Sequence, residues 1–376
     1  TFTGVPPGTG RRRALDLDGN NTLNNDEPPT SVQISGRVVD AAGVGIAGVS
    51  VALNGSQDAV TTTDASGKYS FGFVSTTGTH TVTPSRSGLT FAPASRSFAN
   101  PSWNQTASFI VPTQANPNPH ASDSTAFFVA QHYADFLNRE PDAAGLSFWT
   151  NQVESCGADQ ACREVRRINV SAAFYVSIEF QQTGFLVYRA NKASFGNLPG
   201  MPVPVTVQGL VPDTQRVSRN VIVGTGAWEA QLETNKTAFF QGWVQRPAFV
   251  AQYPATLAPA VFVDTLIANA GLQPGEIDRN ALVAGLSAGT LTRAQVVRNV
   301  SENPAFSARE FNRAFVLMQY FGYMRRNPND APEQGLNFDG YDFWLRKLNE
   351  FNGNFVNAEM VKAFITSGEY RGRFGQ

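Results

Sequence analysis

The chain has 376 residues, enough for two or three domains, and its 28 phenylalanines allow a large buried core. Charged residues make up 16% of it and the formal net charge is −1, so no basic field is available for nucleic acid or anionic lipid. No apolar run reaches the roughly 18 residues that span a bilayer. We therefore expect no nucleic-acid partner and no membrane span.

Residues 14–29, ALDLDGNNTLNNDEPP, have the spacing of an EF-hand-type calcium loop. Calcium takes six to eight hard oxygen ligands, and twelve residues with alternating polar side chains wrap them around one ion. The predicted ligands are Asp16, Asp18, Asn20, the Thr22 carbonyl, Asn24 and Glu27. Asn21 stands where glycine is usual, and Pro28 and Pro29 leave no exit helix. The loop resembles the dockerin variety, and we expect a structural Ca²⁺ site. The alternative is a polar turn.

Residues 31–112 alternate between apolar and polar positions, with turn clusters between the alternating runs. This pattern predicts an antiparallel β-sandwich. The apolar positions of two of the runs are Val49, Val51 and Leu53, then Tyr69, Phe71 and Phe73. The segment GVGIAG (43–48) matches G-x-G-x-x-G, but a strand pattern follows it where a dinucleotide site needs a helix. Its glycines are predicted to form a turn.

The segments ISGRVVDAAGVGIAGVSVAL and TTTDASGKYSF in this region resemble carboxypeptidase-regulatory-like, or Cna-B-like, domains. The resemblance implies an all-β, immunoglobulin-like or prealbumin-type sandwich of seven strands. Such domains serve as stalks and spacers in extracellular proteins, and the resemblance implies the same use here.

Residues 113–124, TQANPNPHASDS, lack an apolar period and are typical of a linker. From residue 125 the apolar period becomes helical, with Ser124 or Thr125 as the expected N-cap. One helical face then carries Phe128, His132 or Tyr133, and Phe136. We expect His132 to be a core residue and not a catalytic base.

The helical region repeats itself. YADFLNREPDAAGLSFWTNQV (133–153) is echoed within 320–349, where an aromatic helix, an arginine, a proline turn and a Phe-Trp pair recur. A helix, a small polar turn and an aromatic residue recur at 168–180, 298–311 and 363–374, with a weaker copy at 262–272. Such units stack on a common core, so the Phe and Trp residues are predicted to be buried there.

Two short motifs remain. Cys156 and Cys162, in SCGADQAC, are predicted to close a small disulfide loop, as in secreted proteins; two free thiols are the alternative. GLSAG (285–289) matches a nucleophile elbow, but all three histidines precede it, whereas the hydrolase order places the base after the serine. We expect a helix C-terminus there, with Thr292 capping the next helix.

The segments FVAQHYADFLNREPDAAGLSFWTNQV and TRAQVVRNVSENPAF resemble the bacterial domain-of-unknown-function 4214 family over most of 125–376. The resemblance is specific at Asn138–Asp142, Gly145-Leu146 and Phe148-Trp149. It implies helical modules of secreted and cell-surface proteins, and it carries no catalytic residues over.

We therefore predict four parts: an N-terminal arm with a calcium loop (1–30), a β-sandwich (31–112), a linker (113–124) and a helical repeat domain (125–376). The chain starts at Thr1 without a leader, so we expect a removed signal peptide or a longer precursor. The predicted function is a non-enzymatic secreted structural protein of the bacterial surface or matrix. It would form a homo-oligomer or filament when the arm, TFTGV, adds a strand to a neighbouring sheet edge. Alternatives are an adhesin that binds surface glycans, or an enzyme with an unrecognised carboxylate pair.

Overall fold

The structure is a computed structural model, and it describes residues 31–112 and 120–374. The predicted calcium loop and most of the predicted linker lie outside these ranges. Eight strands come first in the described part: β1 (Ser31–Asp40), β2 (Ser50–Gly55), β3 (Ala59–Thr62), β4 (Lys68–Ser75), β5 (Thr79–Ser85), β6 (Arg96–Ala99), β7 (Gln105–Thr106) and β8 (Phe109–Val111).

The strands form two sheets, one with the order β4-β1-β7 and the other with the order β3-β2-β5-β6. Both β7 and β8 pair with β1 in parallel, at Ile34–Ser35 and at Val38–Asp40. Between them the Arg37 N–H donates to the Ser108 hydroxyl at 3.2 Å, so β7 and β8 are two halves of one interrupted strand. The predicted β-sandwich is confirmed, with seven strand positions. The expectation that it is antiparallel throughout is wrong at β1, which pairs in parallel with β7 and β8.

Strand alternation explains the core of the sandwich, with one exception. Val49, Val51 and Leu53 are fully buried, as the period-two pattern predicts. Phe73, expected to face the core, is instead 87% exposed and has a φ of 56°. The β1–β4 register shifts between Val32 and Ile34, and this β-bulge places Val74 in the core in place of Phe73.

The rest of the described chain is mostly helical, as predicted. It begins with a 3₁₀ turn (Ala121–Asp123) and contains π-helical turns at Tyr133–Leu137 and Gln319–Met324 and a 3₁₀ turn at Gln334–Leu336. The α-helices are α1 (Thr125–His132), α2 (Ala143–Glu154), α3 (Gln160–Val176), α4 (Ile178–Gln182), α5 (Gly184–Phe195), α6 (Val207–Val217), α7 (Trp228–Trp243), α8 (Pro247–Gln252), α9 (Pro259–Ala270), α10 (Arg279–Ser287), α11 (Arg293–Ser301), α12 (Pro304–Met318), α13 (Asp339–Glu350), α14 (Met360–Thr366) and α15 (Gly368–Gly372).

Helix α5 lies at the centre of the helical region and is contacted by α4, α6, α9, α11 and α12. Its side chains Phe185, Leu186, Val187 and Tyr188 are all buried, because neighbouring helices surround it. A helical turn that is apolar on every side, as residues 185–188 are, is stable only in such a position. Most of the segment 262–272, the weak repeat copy, lies in α9, which ends at Ala270 and is capped by Gly271 with a φ of 64°.

The two long repeat units share backbone details that exceed their sequence similarity. In each unit a helix continues into a π-helical turn that ends at a left-handed residue, Asn138 (φ 55°) or Arg325 (φ 58°). The next N–H, of Arg139 or Arg326, donates at 3.4 Å to the carbonyl of Tyr133 or Tyr320. Each of these arginines then forms an ion pair with a glutamate of a later helix.

The short polar turns of the repeats are helix caps. Ser177, Asn303 and Ser367 each accept a hydrogen bond at 3.1 Å from the N–H of the aromatic residue three positions later. These residues, Phe180, Phe306 and Tyr370, are 2% exposed or less. The cap therefore directs an aromatic side chain into the common core in every copy.

The prediction that the Phe and Trp residues of the repeats are all buried is partly wrong. Trp149 and Trp344 pack against the core, but Phe148 and Phe343 are 55% and 45% exposed. Adjacent helical positions differ by about 100° in direction, so only one member of each pair can face the core.

Three smaller predictions concern helix ends and the cysteines. Ser124 caps α1, and GLSAG ends α10, after which Thr292 caps α11 in a capping box, as expected. A disulfide joins Cys156 and Cys162, at the end of α2 and the start of α3. Within the described part of the chain, no helix is both long enough and apolar enough to cross a bilayer.

The sandwich and the helices share a core. Val39, Trp103 and Ile110 of the sandwich belong to the same buried cluster as the helical side chains. Asn104 and Gln215 of α6 exchange two hydrogen bonds across the junction, at 3.3 and 3.1 Å. The two regions therefore pack directly on each other.

Candidate functional site: the cleft between the sandwich and the helices

A cavity of about 510 Å³ lies where the sandwich meets the helical region. The sandwich contributes β6, β7 and the outer face of β1. The helical region contributes α1 with its π-helical turn, α6 and the C-terminal end of the described chain. Residues far apart in the sequence therefore meet in this cleft.

Amide and hydroxyl groups cover much of its wall. They come from the sandwich and from two helices, and include Gln33, Ser35, Ser95, Asn104, Thr106 and Gln131. Such groups donate and accept hydrogen bonds, so the wall suits a polar ligand.

One carboxylate lies within the cluster of positive charge, that of Asp135 in the first π-helical turn. It forms a two-pronged ion pair with Arg373, at 2.8 and 2.9 Å, and accepts a hydrogen bond from Gln131 at 2.9 Å. Arg373 also donates to the carbonyls of Gly322 and Tyr323, at 3.2 and 2.7 Å. Although burial raises it, the arginines and Gln131 hold the pKa of Asp135 below its usual value.

Arg325 lines the same cleft and donates to the Asp135 carbonyl at 3.3 Å, not to the carboxylate. Its guanidinium also lies 5.4 Å from the ring of Trp103. Burial lowers the pKa of Arg325 to about 10, although the charge of Asp135 opposes this.

Arg96, the first residue of β6, is only 8% exposed. Its guanidinium stacks over the rings of Phe98 and Phe374, at 5.6 and 5.2 Å. Its Nη1 atom is buried and has no hydrogen-bond partner among the described residues. Burial, and then the charge of Arg373, lower the pKa of Arg96 to about 10. The group remains a cation at neutral pH.

The rim of the cleft holds Arg139 and Glu140, from the motif that resembles the 4214 family. Arg139 is committed to Glu179, which accepts two hydrogen bonds at 2.7 and 2.9 Å. Burial raises the pKa of Glu140, although the charges of Arg37 and Lys68 oppose this. At the rim, therefore, Arg139 is held in an ion pair, whereas the Glu140 carboxylate is not within ion-pair distance of a described cation.

Chemically, the cleft presents the guanidinium groups of Arg96, Arg325 and Arg373 around the carboxylate of Asp135, with Arg139 and a second carboxylate, that of Glu140, at the rim. This excess of positive charge in a partly enclosed space attracts an anion. Guanidinium groups hold carboxylates and other oxyanions with two parallel hydrogen bonds.

His132 lies outside this cleft, in the core, and is 1% exposed, as expected of a core residue. Its Nδ1 donates to the Phe128 carbonyl at 2.7 Å, so its Nε2 accepts from the Ser171 hydroxyl at 2.6 Å. The Tyr323 hydroxyl lies 2.5 Å from that of Ser171. Ser171 and Tyr323 are also at most 1% exposed, so this serine–histidine contact has no access to a substrate.

The residues predicted from the sequence to form sites lie elsewhere. Asp16, Asp18, Asn20, Thr22, Asn24 and Glu27 fall outside the described residues, so the calcium site stays a prediction. The disulfide between Cys156 and Cys162 links the end of α2 to the start of α3, and neither cysteine lines the cleft. Within residues 31–112 and 120–374, no group of three or more His, Cys, Asp or Glu side chains could hold a metal ion.

Sequence reasoning missed the arginine cluster. Its members, at positions 96, 325 and 373, are spread over the chain, and no short motif links them. One signal was present: Arg325 occupies the left-handed position that Asn138 occupies in the first repeat unit. A large cation is unusual at such a position, where asparagine and glycine are favoured.

Two family models match the chain. Residues 33–107 match the carboxypeptidase regulatory-like domain, and residues 107–183 match the domain of unknown function DUF4214. The second match ends at residue 183, so it covers only the first repeat unit and not most of the helical region. No curated protein matches the chain. The chain is therefore similar, over these two segments, to domain families typical of extracellular bacterial proteins.

Proposed function

We propose that this chain is a non-enzymatic, secreted structural protein of the bacterial surface or matrix. Calcium stabilises its N-terminal arm, and copies assemble when the arm of one adds a strand to the sandwich of the next. The observation that carries this proposal is an open edge of the sandwich with exposed apolar side chains.

The open edge consists of β3 and β4, each of which pairs with one strand only among the described residues. Val60 on β3 is 71% exposed and Phe73 on β4 is 87% exposed. Natural proteins protect such edges with charges, prolines, β-bulges or covering elements, because an unprotected edge pairs with another chain. β4 carries the bulge beside Phe73, so β3 is the more regular edge for an added strand. An apolar, uncovered edge therefore suits strand addition.

The helical region lies toward the other edge of the sandwich. The cleft is lined by β6, β7 and β1, and the charge of Lys68 at the start of β4 acts on Glu140 at its rim. Val60 on β3 and Phe73 in the second half of β4 nevertheless stay exposed. Packing of the helices therefore leaves the open edge accessible to a second molecule.

The arm leaves the sandwich beside this edge, because Ser31 at the start of β1 pairs with Ser75 at the end of β4. Thirty residues precede Ser31, and an extended chain spans about 3.3 Å per residue, enough to reach a neighbouring molecule. The segment TFTGV contains threonine, phenylalanine and valine, which favour strands. Calcium bound between Asp16 and Glu27 would restrict the direction of the arm.

Sedimentation velocity of the full chain, with millimolar calcium and then with a chelator, tests the proposal. We expect concentration-dependent assemblies in calcium and smaller species in chelator. Asp16→Asn with Glu27→Gln should abolish the effect of calcium. Asp342→Asn with Glu350→Gln, an equal change of charge at exposed positions on α13, should leave it intact. A monomer at every concentration, with or without calcium, would overturn the proposal.

A second candidate, an adhesin or glycan-binding module, is favoured by a different observation, the unpaired guanidinium of the cleft.

A further inference from the structure

We propose that the cleft between the sandwich and the helices binds a sugar residue that carries a carboxylate. The inference rests on the charge, the unsatisfied hydrogen-bonding groups and the polar wall of the cleft. It is independent of the arm and of calcium.

The first step is the charge. Arg96, Arg325 and Arg373 line the cleft together with two carboxylates, that of Asp135, which pairs with Arg373, and that of Glu140 at the rim. Arginines still outnumber carboxylates in the lining. The mutual repulsion is felt at Arg96, where the charge of Arg373 favours the neutral form. A bound anion would relieve this repulsion, whereas a bound cation would increase it.

The second step is the unsatisfied donor. Arg96 is more than nine-tenths buried, its guanidinium forms no ion pair with a described residue, and its Nη1 has no acceptor among them. A buried cation without a partner is costly, so proteins keep one where a ligand or partner supplies the counter-charge. The stacked rings of Phe98 and Phe374 hold the guanidinium plane in place.

The third step is the type of anion. A planar guanidinium matches a planar carboxylate with two parallel hydrogen bonds. Around it are hydroxyl and amide groups rather than further aromatic surface: Ser35, Ser95, Ser97, Asn104, Thr106 and Gln131. These groups suit the hydroxyls of a sugar ring, since each can donate or accept.

The fourth step is the size. The cavity volume of about 510 Å³ lies within the roughly 300–1,000 Å³ that is usual for small-ligand sites. It is large enough for one or two sugar rings and too small for a folded partner.

Isothermal titration calorimetry of the full chain tests the proposal with three probes: glucuronate, glucose and inorganic sulfate. We expect glucuronate to bind, glucose not to bind measurably, and sulfate to bind at least tenfold more weakly than glucuronate. A galacturonate oligomer should then show whether a unit within a polymer enters as well as the free sugar.

Variants at Arg96 locate the site. Arg96→Gln should weaken glucuronate binding roughly 10- to 100-fold, the range for loss of a charge-assisted hydrogen bond. Arg96→Lys should recover part of the loss. Arg86→Gln, at an exposed arginine of the sandwich outside the cleft, should bind as the unaltered chain does.

Three results would overturn the proposal: no binding of glucuronate, equal binding of glucose, or sulfate binding as tightly as glucuronate. Unchanged affinity in Arg96→Gln would also overturn it. If that variant does not fold, the melting temperature of the unaltered chain decides, since glucuronate should raise it and glucose should not. A chelator should leave binding unchanged, so this site and the proposed assembly fail or hold separately.

Discussion

At the scale of single residues, Arg96 shows a conflict between stability and binding. Its charge is buried beside Arg373 and Arg325, and it is compensated by stacking on two rings and by the nearby charge of Asp135, without an ion pair of its own among the described residues. Arg96→Met would keep an extended apolar side chain and remove the charge. We expect it to raise the free energy of unfolding by about 1–3 kcal/mol, measured by urea denaturation.

The matched control is Arg86→Met. Arg86 is exposed and donates to the Ala47 carbonyl at 2.6 Å, so its loss should not stabilise the protein. If Arg96→Met were less stable than the unaltered chain, Arg96 would stabilise the fold, and its buried charge would not indicate an anion-binding role.

His132 gives the protein a definite pH dependence. Burial lowers the pKa of His132 to about 4, from about 6.5 in an unfolded chain, although the hydrogen bond to Phe128 opposes this. Between these values the unfolded state binds more protons than the native state. The free energy of unfolding should therefore be unaffected by His132 above about pH 6.5. Below that pH it should fall, by up to about 1.4 kcal/mol per pH unit, until about pH 4.

His132→Gln isolates this contribution, because glutamine keeps hydrogen-bonding groups but does not titrate. Urea denaturation at several pH values between 4.5 and 7.5 should show a shallower slope for the variant. Equal slopes in the two proteins would mean that other groups cause the whole pH dependence.

At the scale of elements, each of the two repeat units contains an equivalent arginine–glutamate ion pair, but the glutamate is more buried in the first unit than in the second. Arg139 pairs with Glu179, whose side chain is 4% exposed, and Arg326 pairs with Glu369, whose side chain is 27% exposed. Arg326 also has Glu333 at 3.4 Å. Glu179→Gln should cost about 3 kcal/mol, because the partly buried Arg139 then keeps as a carboxylate partner only Asp142, at 3.5 Å, whose side chain is 37% exposed.

Glu369→Gln should cost only about 1 kcal/mol, because the remaining partners and solvent stabilise Arg326. Chemical denaturation of the two variants measures the difference directly. Equal costs would show that the burial of the glutamate does not decide the strength of these pairs.

If the open edge accepts a strand from a second molecule, the backbone N–H groups on the free side of β3 must be available to it. The Thr63 N–H donates to the Val49 carbonyl at 3.0 Å, and the Thr63 carbonyl accepts from Gly48. By the alternation of antiparallel ladders, Val60 then points its N–H away from β2. Val60→Pro should leave the sandwich folded and reduce assembly at least tenfold in light scattering, since proline cannot donate to an added strand.

Val60→Thr keeps that N–H and serves as the control, which should assemble normally. Normal assembly of Val60→Pro would exclude β3 as the acceptor strand.

Many of the strands, helices and helix caps could be predicted from the sequence. The change from period two to a helical period separates sandwich from helices, and polar residues three positions before aromatics mark the caps at Ser177, Asn303 and Ser367. Phe73 could not be placed, because a one-residue bulge reverses the faces beyond it. Phe148 could not be placed either, since a pair of adjacent aromatics does not reveal which one faces inward.

At the scale of the whole molecule, the packing of the sandwich on the helical region could not be predicted from the sequence. The composition predicts a linker at 113–124 but does not indicate whether the regions on either side of it touch, and in the structure Val39, Trp103 and Ile110 of the sandwich belong to the helical core. The cleft arises from this packing, since Arg96, Asp135, Arg325 and Arg373 come from four distant segments. Period and composition report local structure, and they carry no information on which distant side chains meet.

Assembly through the arm is the central claim, and competition by the arm itself tests it most directly. A synthetic peptide of residues 1–30 is added in excess to the full chain in millimolar calcium, and the mass is followed by light scattering. A peptide of the same composition in scrambled order is the control. We expect the 1–30 peptide to occupy the open edges and reduce the assemblies to single chains, and the scrambled peptide to leave them unchanged. Assemblies unaffected by the 1–30 peptide, or no assemblies at any concentration, would contradict it.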